Sequence, residues 1–404
     1  MNDKHIETQL IRTRTPKSGH REHSTSIYMT SSFMFENAEQ ARAMFAKEEA
    51  GYIYSRYDNP NVDEFIQRMC HLENAEDGIS VASGMSAVFT ALAGLLGQGD
   101  HVLASRSVFG STHQLLTQVL PKWGISHSYG RIDDLESWAE LVQPNTKMCV
   151  VETPSNPALD LIDLEWLGNF CRERGIILLV DNVFATPLLQ NPLDFGANLV
   201  MHSTTKFIDG QGRGIGGVLV GDKQYIDDIR FFARHSGPAM SPFNAWMFSK
   251  SLETLPVRID RHCDNAEKLA EYLADHSDIA FVKYPHHHSH PQYELAKRQM
   301  RRGGGLVTFE LSGGLDHGRA FLDALNMCSL SPNLGDTRTI ATHPASTTHS
   351  SLNDEDRQEV GITSGMVRIS VGLEHHEDII RDVSCALEAT AEYARPLLVG
   401  QPVS

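Results

Sequence analysis

No stretch of this chain stays apolar for the roughly 20 residues a bilayer-crossing helix takes. Its opening, "MNDKHIETQLIRTRTPKSGH", lacks the apolar core of a secretion signal. A cytoplasmic chain without a membrane partner is the expectation. Positive charge is scarce as well: 35 Lys and Arg stand against 51 Asp and Glu, a net of -16 with uncharged histidines. Such a field repels phosphate backbones and anionic headgroups, so nucleic acid is not expected and any bound anion needs a local site. The six cysteines, Cys70, Cys149, Cys171, Cys263, Cys328 and Cys385, form no C-x-x-C pair. That spacing points to reduced thiols and away from disulfides or a zinc site. "HHHSH" at 286–290 lacks ligand spacing and follows a proline, so it reads as a solvated loop, and no metal is expected. Internal repeats, low-complexity linkers and a P-loop are missing too.

What is present is the composition of an ordinary globular protein of 404 residues, enough for a large domain and a smaller one. Residues 1–60 carry no sustained periodicity and read as an arm. They end in "GYIYSRYDNPN", a turn signal ahead of the helical "VDEFIQRMCHLENA". Residues 61–260 alternate short apolar runs ("GISVAS", "DHVLAS", "KMCVVET", "IILLVDN", "ANLVMHS") with amphipathic stretches of helix length. That alternation predicts an α/β domain with a parallel sheet covered on both faces. Residues 261–404 change texture: "GGGLVTFELSGG" and "MVRISVGLE" read as strands of a second, smaller sheet, and "HEDIIRDVSCALEATAEYA" as a closing helix.

Ligands of parallel sheets bind beyond the carboxyl ends of the strands. The polar residues at those ends are Ser83 and Gly84 in "SGMSA", Asn156 in "ETPSNP", Asp181 after "IILLV", and Ser203, Thr205 and Lys206 in "HSTTK". A helix opening at Ser83 points free amides outward, and these suit a phosphate, although an ordinary capped helix has the same pattern. A carboxylate at Asp181 needs a cationic or strongly donating partner, which a buried ion pair or a protonated pyridine nitrogen would supply. A lysine confined behind a strand loses its proton readily and can attack an aldehyde; taken alone, it fits a snorkelling side chain better, and it is the other strand-end residues that favour the chemical reading. The glycines of "GQGRGIGG" form a poor dinucleotide fingerprint, because they trail Lys206 and lead into a strand.

With these residues stand "YSRYDNPN", "VFGSTHQLL", "VDNVFATPLLQNPLDFGA", "HSTTKFIDGQG", "LPVRI", "HPASTTH" and "VRISVGLE", in that order. Together they resemble the pyridoxal-phosphate enzymes of cysteine and methionine metabolism, the cystathionine gamma-synthase-like family. The resemblance implies a fold type I PLP-dependent transferase, with a mainly parallel large domain and a smaller α/β C-terminal domain. It implies pyridoxal 5'-phosphate as cofactor, joined to Lys206 as a Schiff base, with Asp181 at the pyridinium nitrogen. Ser83, Gly84, Met85, Ser203 and Thr205 would hold the phosphate, Phe109 would stack on the ring, and Asn156 would lie near the phenolic oxygen. Asn333 and Arg368 would meet the substrate carboxylate. Tyr54 and Arg56 would reach into a neighbouring subunit's site, which implies a homotetramer of two active dimers.

Two departures bear on the reaction. Phe109 replaces a tyrosine found in many relatives, which keeps the stacking surface and loses an acid. Such a site suits a carboxylate leaving group, which departs without protonation. The "GQGR" and "SPNLGDTRT" segments resemble the O-succinylhomoserine sulfhydrylase branch. The expected activity is gamma-replacement of O-succinylhomoserine by sulfide, giving homocysteine in methionine biosynthesis. Cystathionine gamma-synthase, O-acetylhomoserine sulfhydrylase and methionine or cystathionine gamma-lyase stay open as alternatives, as does a fold retained without catalysis.

Overall fold

A computed structural model describes residues 4–347, 350, 357 and 361–394, which leaves the last two residues of "HPASTTH" outside. Seven strands form the large sheet: β1 (Asp77–Val81), β2 (His101–Ser105), β3 (Ser126–Gly130), β4 (Thr146–Glu152), β5 (Ile177–Asp181), β6 (Leu199–Ser203) and β7 (Gly217–Gly221). Their order is β1-β7-β6-β5-β4-β2-β3. Every pairing is parallel except the two made by β7, which runs against both β1 and β6.

The continuous apolar runs of these strands feed two cores, because successive side chains point to opposite faces. Leu103, Val151, Leu178, Val180 and Val200 pack on one face with Phe65, Met69 and Leu72 of the helix Pro60–Glu73. Val102, Val150, Leu179, Leu199 and Met201 pack on the other with Ala87, Val88, Ala91 and Leu92 of the helix Gly84–Leu95. The apolar-run pattern misses β3, whose "SHSYG" is polar because it lies at the sheet edge. It also misses the helix Lys223–Ser236.

Five strands form the second sheet: β8 (Ile279–Lys283), β9 (Leu306–Leu311), β10 (Ser329–Leu330), β11 (Ile340–Thr342) and β12 (Met366–Ser370), in the order β10-β11-β12-β9-β8. The helix Leu255–Ala274, with Pro256 in its first turn where a missing amide costs nothing, links the two bodies. Leu255, Ile259 and Cys263 join the first core of the large sheet. Ala266, Leu269 and Leu273 join the core under the second sheet.

"HHHSH" is not wholly a solvated loop, as its composition suggests. His288 and Ser289 are exposed, but His290 is buried with Nε2 3.1 Å from the Leu159 carbonyl, so it pins this turn to the large domain. Among the described residues no helix is long and apolar enough to cross a membrane, and no group of three or more His, Cys, Asp or Glu could hold a metal.

Candidate active site

Gly217, the first residue of β7, opposes both Val81 of β1 and Ser203 of β6. This register brings the mouth of the helix Gly84–Leu95 against the end of β6. Ser83 caps that helix, its side chain accepting from the Ser86 amide at 3.0 Å. Gly84 and Met85 are its first two residues, whose amides no helical carbonyl can reach. A Cβ on Gly84 would lie 2.7 Å from Ser203 Cβ, and one on Gly217 would lie 2.2 Å from the Ser83 carbonyl oxygen. Gly84 is therefore glycine so that the helix can sit directly on β6. The Thr205 hydroxyl accepts from the Gly216 amide at 3.2 Å, which fixes it beside this mouth.

Lys206 follows at once and is half-buried. Burial, and secondarily the Arg368 charge, pulls its ammonium down to about 8. Nζ donates to Asn333 Oδ1 at 2.5 Å. Asn333 lies on a segment pressed against the lysine's own backbone: a Cβ on Gly335 would lie 2.5 Å from the Phe207 amide nitrogen.

Asp181 ends β5, half-buried, and accepts from the Val183 amide at 3.1 Å. Burial pushes its carboxyl up to about 6, opposed by that amide and by His202. His202, on β6, lies with Nε2 2.5 Å from Glu73 Oε1, and Glu73 also accepts from Asn182 at 2.9 Å. Arg368, on β12, is only 4% exposed. Its Nη1 donates to Asn156 Oδ1 at 2.8 Å and its Nη2 to the Asn333 carbonyl at 3.1 Å, while buried Nε has no acceptor among the described residues. Burial lowers it to about 10.

Lys206, Asn333, Arg368 and Asn156 thus form one hydrogen-bonded chain, and Ser83, Gly84, Ser203 and Thr205 form a second cluster at the helix mouth. Phe109 is 42% exposed and lines a cavity of about 10 Å³ with Asp181 and Glu152. Tyr54 and Arg56 are exposed and lie elsewhere in this chain. Arg56 stacks 5.4 Å from the Tyr54 ring and 4.9 Å from that of Tyr57, and donates to the Arg234 carbonyl. Sequence reasoning passed over Glu152, His202 and Glu73. The strand-end rule could have found Glu152, the first polar residue after "CVV"; nothing local marks the other two.

A doubly covered, mostly parallel sheet with a lysine, a carboxylate and the open mouth of a helix at its strand ends is an α/β fold whose site suits a cofactor that carries an aldehyde and an anionic group. A family model described as Cys/Met metabolism PLP-dependent enzyme matches residues 7–388. The chain belongs to this family. Its relatives include an O-succinylhomoserine sulfhydrylase of Pseudomonas aeruginosa, 44% identical over 95% of each chain. An L-methionine gamma-lyase of Fusobacterium nucleatum subsp. polymorphum is 40% identical over 95% of this chain and 98% of that one. Among solved structures, a Campylobacter jejuni chain described as an O-acetylhomoserine (thiol)-lyase, with N'-pyridoxyl-lysine-5'-monophosphate, matches with TM-score 0.91 and 35% identity, over 95% of this chain and all of that one.

Pyridoxal 5'-phosphate is the cofactor of this family, and the residues present fit it. The first turn of the helix leaves amides that suit a phosphate, no cation among the described residues hydrogen-bonds to Asp181, and Arg368 Nε is a buried donor without an acceptor among them, which suits a carboxylate.

Proposed function

We propose that this chain is an O-succinylhomoserine sulfhydrylase that converts O-succinylhomoserine and sulfide to homocysteine and succinate. The observation that carries this reading is the 44% identity, over 95% of both chains, to a relative of that activity. Phe109 accords with it, since a phenyl ring cannot protonate a leaving group and a carboxylate does not need it to.

In this reading Ser83, Gly84, Met85, Ser203 and Thr205 hold the cofactor's phosphate, Asp181 pairs with its ring nitrogen, Phe109 covers one ring face, and Lys206 binds its aldehyde. When bound, pyridoxal phosphate withdraws electrons from the substrate's α carbon. Arg368 orients the substrate carboxylate through Nε and its outer edge, held in plane by Asn156 and the Asn333 carbonyl. Lys206 Nζ, titrating near 8, is suited to take protons from the α and β carbons and return them at neutral pH. Asn333 Oδ1 gives that amine a fixed resting place. Phe109 keeps water from one side of the reacting carbons.

The assembly belongs to the same proposal: a cytoplasmic homotetramer of two active dimers, with the arm of residues 1–60 laid on the neighbouring subunit and domains at 61–260 and 261–404. Tyr54 and Arg56 would complete the partner's phosphate site. Support comes from the arm's exposed apolar side chains, Met29, Met34 and Phe45. Mixing Arg56→Ala with Lys206→Ala protein tests the sharing, with recovery of up to about a quarter of wild-type activity expected if sites are built across subunits.

A second reading, methionine gamma-lyase, is favoured by the 40% identical relative. Product analysis separates them. O-succinylhomoserine with sulfide should give homocysteine faster than O-acetylhomoserine does, and faster than cysteine gives cystathionine. Keto acid and ammonia from methionine at a higher rate would transfer the assignment to the lyase.

A further inference from the structure

Glu152 ends β4 directly beside Asp181 of β5, the two residues being register partners in parallel strands and so facing the same side of the sheet. Glu152 is 4% exposed, and no described residue hydrogen-bonds its Oε2, which is sealed from solvent. Its carboxyl is within reach of the Phe109 amide. No lysine, arginine or histidine nitrogen lies within 4 Å of it among the ion pairs of the described residues. Glu152 and Asp181 share the small cavity, together with Phe109, Thr112, Val88 and Met201. At about 10 Å³ it has room for about one water.

Two ionised carboxylates on adjacent strand ends, one of them dry and without a cation, repel each other and lose hydration. A single proton on the drier of the two relieves both costs. We propose that Glu152 is a positioning residue that stays protonated in the resting enzyme and donates a hydrogen bond into the cavity it shares with Asp181, holding Asp181 ionised for the cofactor's ring nitrogen. Burial and the Asp181 charge both drive the Glu152 carboxyl upward, against the Phe109 amide and the more remote Arg368 charge. Burial raises Asp181 as well, to about 6, but the Val183 amide and His202 act on it in the ionising direction, whereas Glu152 is driven well above the usual carboxylate range.

The inference rests on the assignment of Asp181 to the cofactor, but its first readout requires neither cofactor nor substrate. Infrared difference spectra of the cofactor-free protein, wild type minus Glu152→Gln, should show the carbonyl stretch of one protonated carboxylic acid at neutral pH. Loss of an ionised carboxylate band in its place would overturn the proposal. The second readout is the pH titration of the bound cofactor's visible absorbance. Glu152→Gln retains a donor, so its acid limb should superimpose on the wild type. Glu152→Ala has none, so Asp181 should protonate sooner and the limb should move up by about one pH unit. An unmoved limb in Glu152→Ala, in folded protein that binds cofactor, would refute the link to Asp181. Neither readout depends on which substrate is turned over, so failure here and failure of the sulfhydrylase reading are separable.

Discussion

Lys206 Nζ donates to Asn333 Oδ1 at 2.5 Å, and the carbonyl of the same asparagine accepts from Arg368 at 3.1 Å. One residue therefore holds both the amine expected to carry the cofactor and the guanidinium expected to hold the substrate.

Only the neutral amine attacks an aldehyde, and burial sets Lys206 near 8. The rate at which cofactor-free protein takes up pyridoxal phosphate should rise about tenfold per pH unit below that value and level above it. Asn333 accepts from the ammonium form and so stabilises it. Asn333→Ala should therefore lower the lysine further and move the rise to lower pH by up to ~1 unit. Stopped-flow absorbance checks both, and a flat profile between pH 6 and 8 would rule out the lysine proton as the controlling group.

Arg368→Lys keeps a charge but loses the planar fork that reaches Asn156 and the Asn333 carbonyl while leaving Nε for a ligand. Two charge-assisted bonds are worth about 3–6 kcal/mol together, so kcat/KM should fall by at least ~10²-fold. Steady-state kinetics should show most of the loss in KM. A variant within threefold of wild type would mean that the carboxylate binds elsewhere.

Gly84→Ala places a methyl 2.7 Å from Ser203 Cβ and 3.1 Å from its Cα, on a β-strand that cannot retreat. The expected cost is about 1–3 kcal/mol in stability, with weaker cofactor affinity as the helix mouth moves off β6. Thermal melts with and without cofactor measure the two effects separately. Unchanged melting and affinity would contradict the close contact.

Glu73 is fully buried and receives hydrogen bonds from Asn182 at 2.9 Å and Asn191 at 3.3 Å, with His202 at 2.5 Å. Asn191 keeps the Leu72 and Pro187 carbonyls, so Glu73→Ala leaves His202 and one amide hydrogen of Asn182 without their partner, at about 1–3 kcal/mol each, and a loss of at least ~2 kcal/mol is expected in urea unfolding. Glu73→Gln preserves one acceptor and should lose less. Equal losses would show that the ionised carboxylate, not the volume of the side chain, matters at this position.

The two segments that set this chain apart within its resemblance, "GQGR" and "SPNLGDTRT", are a single structural unit. The Thr337 amide donates to the Gly210 carbonyl at 2.8 Å, and Arg338 to the Gln211 carbonyl at 3.2 Å. Arg213 of the first segment is committed to Asp209 at 2.9 Å. No reading of either segment alone reveals that they meet.

Strand runs and the residues that end them were readable from the chain, because burial of successive side chains on a parallel sheet writes a local, contiguous apolar pattern. That pattern located Asp181, Ser203 and Lys206, and the order of motifs supplied Arg368. It failed at β3, where edge position allows polar side chains; Glu152 ends its apolar strand as Asp181 does, yet nothing local pairs the two. Only the folded arrangement decided which groups share a cavity, as Glu152 and Asp181 do, and which are clasped across 212 residues, as Arg368 and Asn156 are. Periodicity is a property of neighbours along the backbone, whereas desolvation and charge at a point in space are set by whatever remote segments the packing brings there.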